Sequence, residues 1–279
     1  MADEVVAEVS YLIDKMRSRK MRFFRELKQY WGFAVYSAKC DLKAEVANSY
    51  LNWLWWILEP FCTMIIYALV FGVAFKTDVA YFPIFILIGI MMWDFFSRLV
   101  TTSVDMIRGN QHIISRVYMP KYILVLQRML VLAFKMMINL GIIIIMLIFF
   151  RVPVGLNVLF VVPILLVYFI FCFGCSLIIM HYGVYVSDLA NALGIILNFI
   201  YFLTGIFYNV QESFPAPHGY LLQRMNPIAH LLFCIRKALL YNETPSCIML
   251  TIWLVISLGL SVIGLNLIYK NENDYVKMV

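Results

Sequence analysis

Residues 53–75, WLWWILEPFCTMIIYALVFGVAF, hold one charged side chain, Glu59, in a run otherwise dominated by apolar and aromatic residues. A helix needs about 20 mostly apolar residues to cross the hydrocarbon of a bilayer, so this stretch reads as a transmembrane span. The same criterion marks residues 83–104, 130–150, 158–182, 190–208 and 247–269. Composition agrees: 63% of the chain is hydrophobic and 14% charged, with a mean hydropathy of +0.87. Soluble domains are about half apolar and a quarter charged, so the excess here has lipid as its solvent. The expected fold is all-α and integral to the membrane, with six transmembrane helices.

The chain starts Met1-Ala2-Asp3-Glu4, and about fifty mixed-charge residues precede the first apolar run. A secretory signal starts with basic residues and a short apolar core, so the N-terminus is expected to stay in the cytoplasm. Lys and Arg in the flanks set the orientation. With that terminus inside, fifteen of them lie on the cytoplasmic side: nine in residues 1–52, Arg108, Arg116, Lys121 and Arg128 around the second loop, and Lys270 and Lys277. Five lie outside: Lys76, Arg151, Arg224, Arg236 and Lys237. Both termini are therefore expected in the cytoplasm. The expected organisation is an interfacial segment over 1–52, a six-span domain over 53–270 and a short tail over 271–279.

Within the first segment Phe24, Leu27, Trp31, Val35, Ala38, Leu42 and Val46 recur every three or four residues, as one face of a helix does. Arg22, Arg25, Lys28, Lys39 and Lys43 fall largely elsewhere. Such an amphipathic helix lies in the membrane plane with its cations toward anionic headgroups, either as a passive anchor or as a gate. On the other side, residues 209–245 hold Pro215, Pro217, Gly219, Pro227 and Pro245. Asn226-Pro227 reads as an N-cap with proline at the first helical position. The helix that follows, with Arg236 and Lys237, is too short and charged to span, and is expected as a re-entrant outer element between spans five and six.

The chemistry-bearing residues do not converge as an enzyme's would. His112, His181, His218 and His230 are scattered, and no Gly-x-Ser-x-Gly, His-Glu-x-x-His or phosphate-binding Gly-x-x-x-x-Gly-Lys-Ser/Thr run occurs. Cys172 and Cys175 have metal-like spacing but no second ligand pair for a four-coordinate zinc, so they read as small hydrophobes. Catalytic and metal-ligating residues are expected to be absent. Charges inside spans are paired or functional. Asp94 and Arg98, four apart, read as a helix-face pair, and Lys135 as a side chain snorkelling to the interface. Glu59, just before Pro60, reads as facing a pathway. Asn52, Trp56, Glu59, Thr63 and Tyr67 form one polar–aromatic stripe, and Asn191, Asn198, Tyr201, Gly205 and Tyr208 a looser second. Packing accounts for such stripes as well as a sugar-conducting channel does.

The run from Leu42 to Glu45 and on through Ser49-Tyr50-Leu51-Asn52-Trp53-Leu54-Trp55-Trp56-Ile57-Leu58-Glu59-Pro60 resembles the start of polysaccharide and polyol-phosphate exporter permeases. These are the membrane subunits of ATP-binding-cassette (ABC) transporters that export O-antigen, capsule or wall teichoic acid. The family usually has glycine where Asn52 stands. Gly109-Asn110, Ile114-Ser115-Arg116-Val117-Tyr118-Met119-Pro120, Val186-Ser187-Asp188-Leu189 and Asn226-Pro227 with Arg236 match its later loops in order. The resemblance implies a homodimer in the bacterial cytoplasmic membrane, with two copies of a separate ATPase subunit that bind ATP and Mg. It implies a polyprenyl-pyrophosphate-linked glycan as substrate and no nucleic acid. It places a gate and headgroup site at Arg22, Arg25, Lys28, Trp31, Lys39 and Lys43. ATPase coupling falls to Arg108, Asn110, Arg116, Tyr118 and Asp188. Trp56, Glu59, Thr63, Tyr67, Asn198, Tyr201 and Tyr208 are the expected channel residues. The rival readings are a same-fold exporter of drugs or simple lipids, a membrane-embedded enzyme of lipid-linked intermediates, and a scaffold.

Overall fold

The computed structural model describes residues 2–47, 50–74, 79–215, 217–272 and 274–275, and only the helical path for 2–21, 73 and 74. Ser49, Lys76, Lys277 and the end of the predicted tail, 276–279, lie outside them. All regular structure among the described residues is helical. A long α1 (Ala2–Val46) leads through the turn Asn52–Leu54 into α2 (Trp55–Tyr67), which ends as a π-helical segment, Ala68–Ala74. Next come α3 (Phe82–Val104), two single-turn helices α4 (Met106–Gly109) and α5 (Gln111–Ile114), and α6 (Tyr122–Phe149). Then follow α7 (Val161–Tyr185), α8 (Leu189–Leu203), α9 (Val210–Ser213), α10 (His218–Met225), α11 (Pro227–Leu240) and α12 (Cys247–Lys270).

Among the described residues, five helical segments are long and apolar enough to cross a membrane: Asn52–Gly72, Phe82–Val104, Tyr122–Phe149, Leu156–Tyr185 and Cys247–Lys270. The stretch expected as a fifth span is α8, 15 residues long. At 1.5 Å per residue it covers about 22 Å, less than the roughly 30 Å of the hydrocarbon core. It stops because Gly205 takes φ +71°, left-handed backbone that glycine adopts without a Cβ penalty. The same constraint explains residue 52. Asn52 has φ +51°, and asparagine is among the few other residues that tolerate this region, so it can stand where the resembling family has glycine.

α3 is the central helix. Ile84, Ile86, Leu87, Ile88, Met92 and Leu99 are fully buried, because α6, α7 and α11 pack around it. The most extensive pairing, α7 on α12, uses small residues for close backbone approach. A Cβ on Gly174 would stand 2.7 Å from the backbone N of Ser261, and the buried Ser261 hydroxyl donates to the Ile170 carbonyl at 3.0 Å.

α11 begins as expected: Asn226 Oδ1 accepts from the backbone N–H groups of Ile228 (3.1 Å) and Ala229 (3.3 Å), with Pro227 at the first position. Its charge distribution differs from the sequence reading. Lys237 is partly exposed and pairs with Glu243 at 2.8 Å, but Arg236 is buried, 4% exposed. Its guanidinium lies over the Phe85 ring and donates to the carbonyls of Phe85 (3.2 and 2.9 Å), Gly205 (2.7 Å) and Ile206 (2.9 Å). Those carbonyls belong to the first turn of α3 and to the turn after α8. One side chain thus joins three chain segments. Burial alone depresses the pKa of this cation, and the three carbonyls are what hold it charged.

Replacing Arg236 by Met leaves the Gly205 and Ile206 carbonyls without their buried donor, an expected loss of about 3 kcal/mol. Arg236→Lys, lacking the planar fork, recovers only part of this. Thermal unfolding of the detergent-purified chain measures both.

Candidate functional site

The site builds from the end of the molecule where α1 meets the turns after α3. Here the amphipathic face of α1 is rotated from the one expected. Ala34 and Ala38 are buried, and Phe23, Leu27, Tyr30 and Phe33 pack on the core. Phe24 is 68% and Trp31 46% exposed. The apolar stripe is therefore two surfaces side by side, one packed on α6 and one facing out. Arg25, Lys28, Lys39 and Lys43 are exposed, next to the outward stripe.

Arg22 departs from the other expected headgroup cations. Its Nε donates to Glu26 at 2.6 Å, and its Nη2 to Tyr118 Oη at 2.7 Å and to Glu272 at 3.1 Å. The guanidinium also lies 4.8 Å over the Tyr269 ring. The carboxylate partners raise its pKa and fix the cation in place. The predicted tail joins this cluster through Glu272, and its Tyr275 is fully buried with its hydroxyl 2.6 Å from His181 Nδ1.

The residues expected to serve ATPase coupling occupy the turns after α3 and the loop before α8. Arg108 Nη2 donates to the Val184 carbonyl at 3.0 Å, at the C-terminal end of α7, where cations favour free carbonyls. This ties the α4 turn to the loop before α8, where Asp188 is exposed at the N-cap position. Asn110 Nδ2 donates to the Met106 carbonyl at 2.8 Å. Arg116 and Tyr118 are exposed. Lys121 is buried, 2% exposed, which lowers its pKa.

Deeper in the bundle, the expected Asp94–Arg98 pair is a triad. Arg98 Nη2 bonds Glu59 on α2 and lies 3.6 Å from Asp94 on its own helix. All three side chains are 40–55% exposed on the protomer. Trp56, Glu59, Asp94, Arg98, Lys135 and Asn139 line a cavity of about 40 Å³, room for two or three waters. Asn139 Oδ1 is buried without a hydrogen-bond partner in the chain. Lys135 lies well inside α6 and meets Glu45 of α1 at 2.6 Å, with Arg128 on the same carboxylate at 3.6 Å.

Toward the other end, Tyr201 donates to the Tyr67 hydroxyl at 3.2 Å. Phe207 packs on Tyr67 (4.7 Å between centroids), Phe71 (4.4 Å) and Tyr201 (5.4 Å), and Trp93 on Tyr201 (5.3 Å). Thr63 donates back to the Glu59 carbonyl at 2.7 Å, as hydroxyls in membrane helices often do. Asn198 is exposed on α8. Tyr208 is turned away, its hydroxyl on the Phe202 carbonyl and its ring near Phe214. The structure thus gathers Trp56 and Glu59 at one level and Tyr67 and Tyr201 at another. Arg98, Lys135, Trp93 and Phe207 complete these groups.

Residues 38–240, most of the chain, match the family model for ABC-2 type transporters. The chain belongs to the ABC-2 type transporter family. It is similar to the O-antigen export system permease protein RfbA of Myxococcus xanthus, 26% identical over 76% of this chain and 82% of the relative. It is also similar to two proteins of that name from Klebsiella pneumoniae, each 22% identical. One alignment covers 86% of this chain and 92% of the relative, the other 94% and 100%. The chain is thus an ABC transporter permease by family, and the matched residues include α2, α3, the turns after α3, α8 and α11.

Neutralising Arg98 alone strands two carboxylates beside each other. Arg98→Gln is therefore expected to lower the yield of folded chain several-fold, whereas Glu59→Gln/Asp94→Asn/Arg98→Gln recovers it. Size-exclusion chromatography of detergent extracts reads both.

Proposed function

We propose that this chain is the permease subunit of an ABC exporter that moves a lipid-linked polysaccharide out through the bacterial cytoplasmic membrane. The observation that carries the reading is the Glu59–Arg98–Asp94 triad, at the depth of the hydrocarbon and half exposed on the protomer. Charges at that depth are costly against lipid, so this face of α2 and α3, which α8 extends at the Tyr67–Tyr201 pair, meets water or another protein chain. A homodimer that closes the wall of one protomer on that of its partner gives both. The lumen then carries the triad and Trp56 on its inner part and the Tyr67–Tyr201 pair toward the outside. Rings offer faces for sugar stacking, and the hydroxyl and carboxylate groups offer hydrogen bonds that hydrated glycans exchange with water. The similarity to O-antigen permeases supports this cargo class over drugs or simple lipids.

In this reading both termini are cytoplasmic and residues 53–270 form a six-span domain. α8 serves as a short fifth span, and α9, α10 and α11 as the re-entrant outer element. Energy comes from two partner ATPase subunits that bind ATP and Mg; this chain supplies no nucleotide site. Arg108, Asn110, Arg116, Tyr118 and Asp188 receive the motion. Arg25, Lys28, Trp31, Lys39 and Lys43 meet the pyrophosphate headgroup at the inner interface, where cations bind phosphate.

Co-reconstitution with a partner ABC ATPase is the test. Polyprenyl-pyrophosphate-linked glycan is expected to stimulate ATP turnover, and deletion of the chain to abolish surface polymer. Unstimulated turnover together with unchanged surface polymer overturns the proposal.

A further inference from the structure

The first helix is fastened at two points far apart along its length, and neither is a lipid contact. Near one end, Arg22 donates to Tyr118 Oη at 2.7 Å, and Tyr30 donates to the Tyr118 carbonyl at 3.1 Å. Glu26 accepts from Tyr269 at 2.9 Å and, more distantly, from Tyr122 at 3.5 Å. Glu272 closes the cluster on Arg22. Near the other end, Asp41 accepts from Gln127 Nε2 at 2.9 Å, and Glu45 holds Lys135 and Arg128. Lys135 in turn lines the small cavity that Glu59, Asp94 and Arg98 share. The helix is continuous between these points, and from Arg22 to Glu45 it rises about 34 Å at 1.5 Å per residue.

We propose that α1 is a strut that carries displacement of the Tyr118 turn to the ionic group on the channel wall. Arg22 and Glu45 are the positioning residues at its two ends. This rests on the exporter reading, which supplies the motor. A continuous helix is stiff along its axis, whereas the Tyr118 segment has single-turn helices and bends around it. Motion arriving at the turn is therefore passed through the Arg22 cluster rather than absorbed. At the far end, a shift of Glu45 moves Lys135, whose cation lies beside the triad and changes which carboxylates Arg98 serves. Coupling of this kind needs an element with two arrangements that both sites bias. A triad with two acids for one arginine, plus a movable lysine, provides one.

Two measurements on the reconstituted permease–ATPase complex test the strut. In a chain with its six cysteines replaced by alanine, spin labels at Gln29→Cys and His112→Cys report the distance from α1 to the turn region. The distance is expected to hold within about 2 Å between nucleotide-free and ATP-trapped states. A change of 5 Å or more overturns the proposal. Second, Arg22→Gln and Glu45→Gln are each expected to lower glycan exported per ATP hydrolysed at least tenfold in complexes that still hydrolyse ATP, with partial recovery in Arg22→Lys. A purely structural role lowers the amount of complex and leaves that ratio unchanged, an outcome that also overturns the strut. Should Arg22→Gln fail to assemble, Tyr118→Phe removes the linking hydroxyl alone and is expected to lower the same ratio; no change contradicts the strut. Failure of the unmodified chain to assemble with any ABC ATPase, by contrast, removes the exporter reading itself.

Discussion

A buried cation must find its partners within the protein, and Arg236 shows how far that demand organises this fold. It has no carboxylate within the cluster that holds it. Its donors go to the carbonyls of Phe85, Gly205 and Ile206. Phe85 sits in the first turn of α3, where a helix carbonyl already accepts from the backbone four residues on and offers its second lone pair. The Gly205 and Ile206 carbonyls lie in the turn where α8 ends at a left-handed glycine. That helix stop and the buried arginine depend on one another, because without the guanidinium the two turn carbonyls lose their buried donor.

The same rule acts around the triad with a different result. There the chain places acids and bases in equal number around one region, Glu45, Glu59 and Asp94 with Arg98, Arg128 and Lys135. The Arg236 cluster is sealed. The ionic one is half open and touches a cavity large enough for water. Sealed polar groups specify a fold, whereas open ones with alternative partners are able to exchange them. In the proposed function that difference gives Arg236 a structural role and the triad a place on the pathway.

Much of this was legible in the sequence because hydrocarbon imposes simple rules. The long apolar runs, the Asn226-Pro227 start of α11 and the stretch from Leu42 to Pro60 each carry a local signal that the structure and the family match bear on directly. What stayed hidden depends on pairing across distant segments. No periodicity places Arg22 against Tyr118 and Glu272, or Glu45 against Lys135. The rotated face of α1 was hidden for a related reason. Phe24 and Trp31 are as apolar as Phe23 and Tyr30, so an alternation of three and four residues does not say which stripe meets α6. Arg236 looked like an interfacial charge because a caged guanidinium needs carbonyls freed by a turn, and that turn follows from Gly205 rather than from an acidic partner in the sequence.

The central claim is that the wall of α2, α3 and α8 faces water. Thr63→Cys and Asn198→Cys on that wall, and Ile144→Cys on the exposed apolar side of α6, measure it directly in a cysteine-free chain assembled with its ATPase. With a charged, membrane-impermeant thiol reagent, Thr63→Cys and Asn198→Cys are expected to react at least tenfold faster than Ile144→Cys. Equal, lipid-shielded rates at all three positions would contradict a water-filled path along this wall.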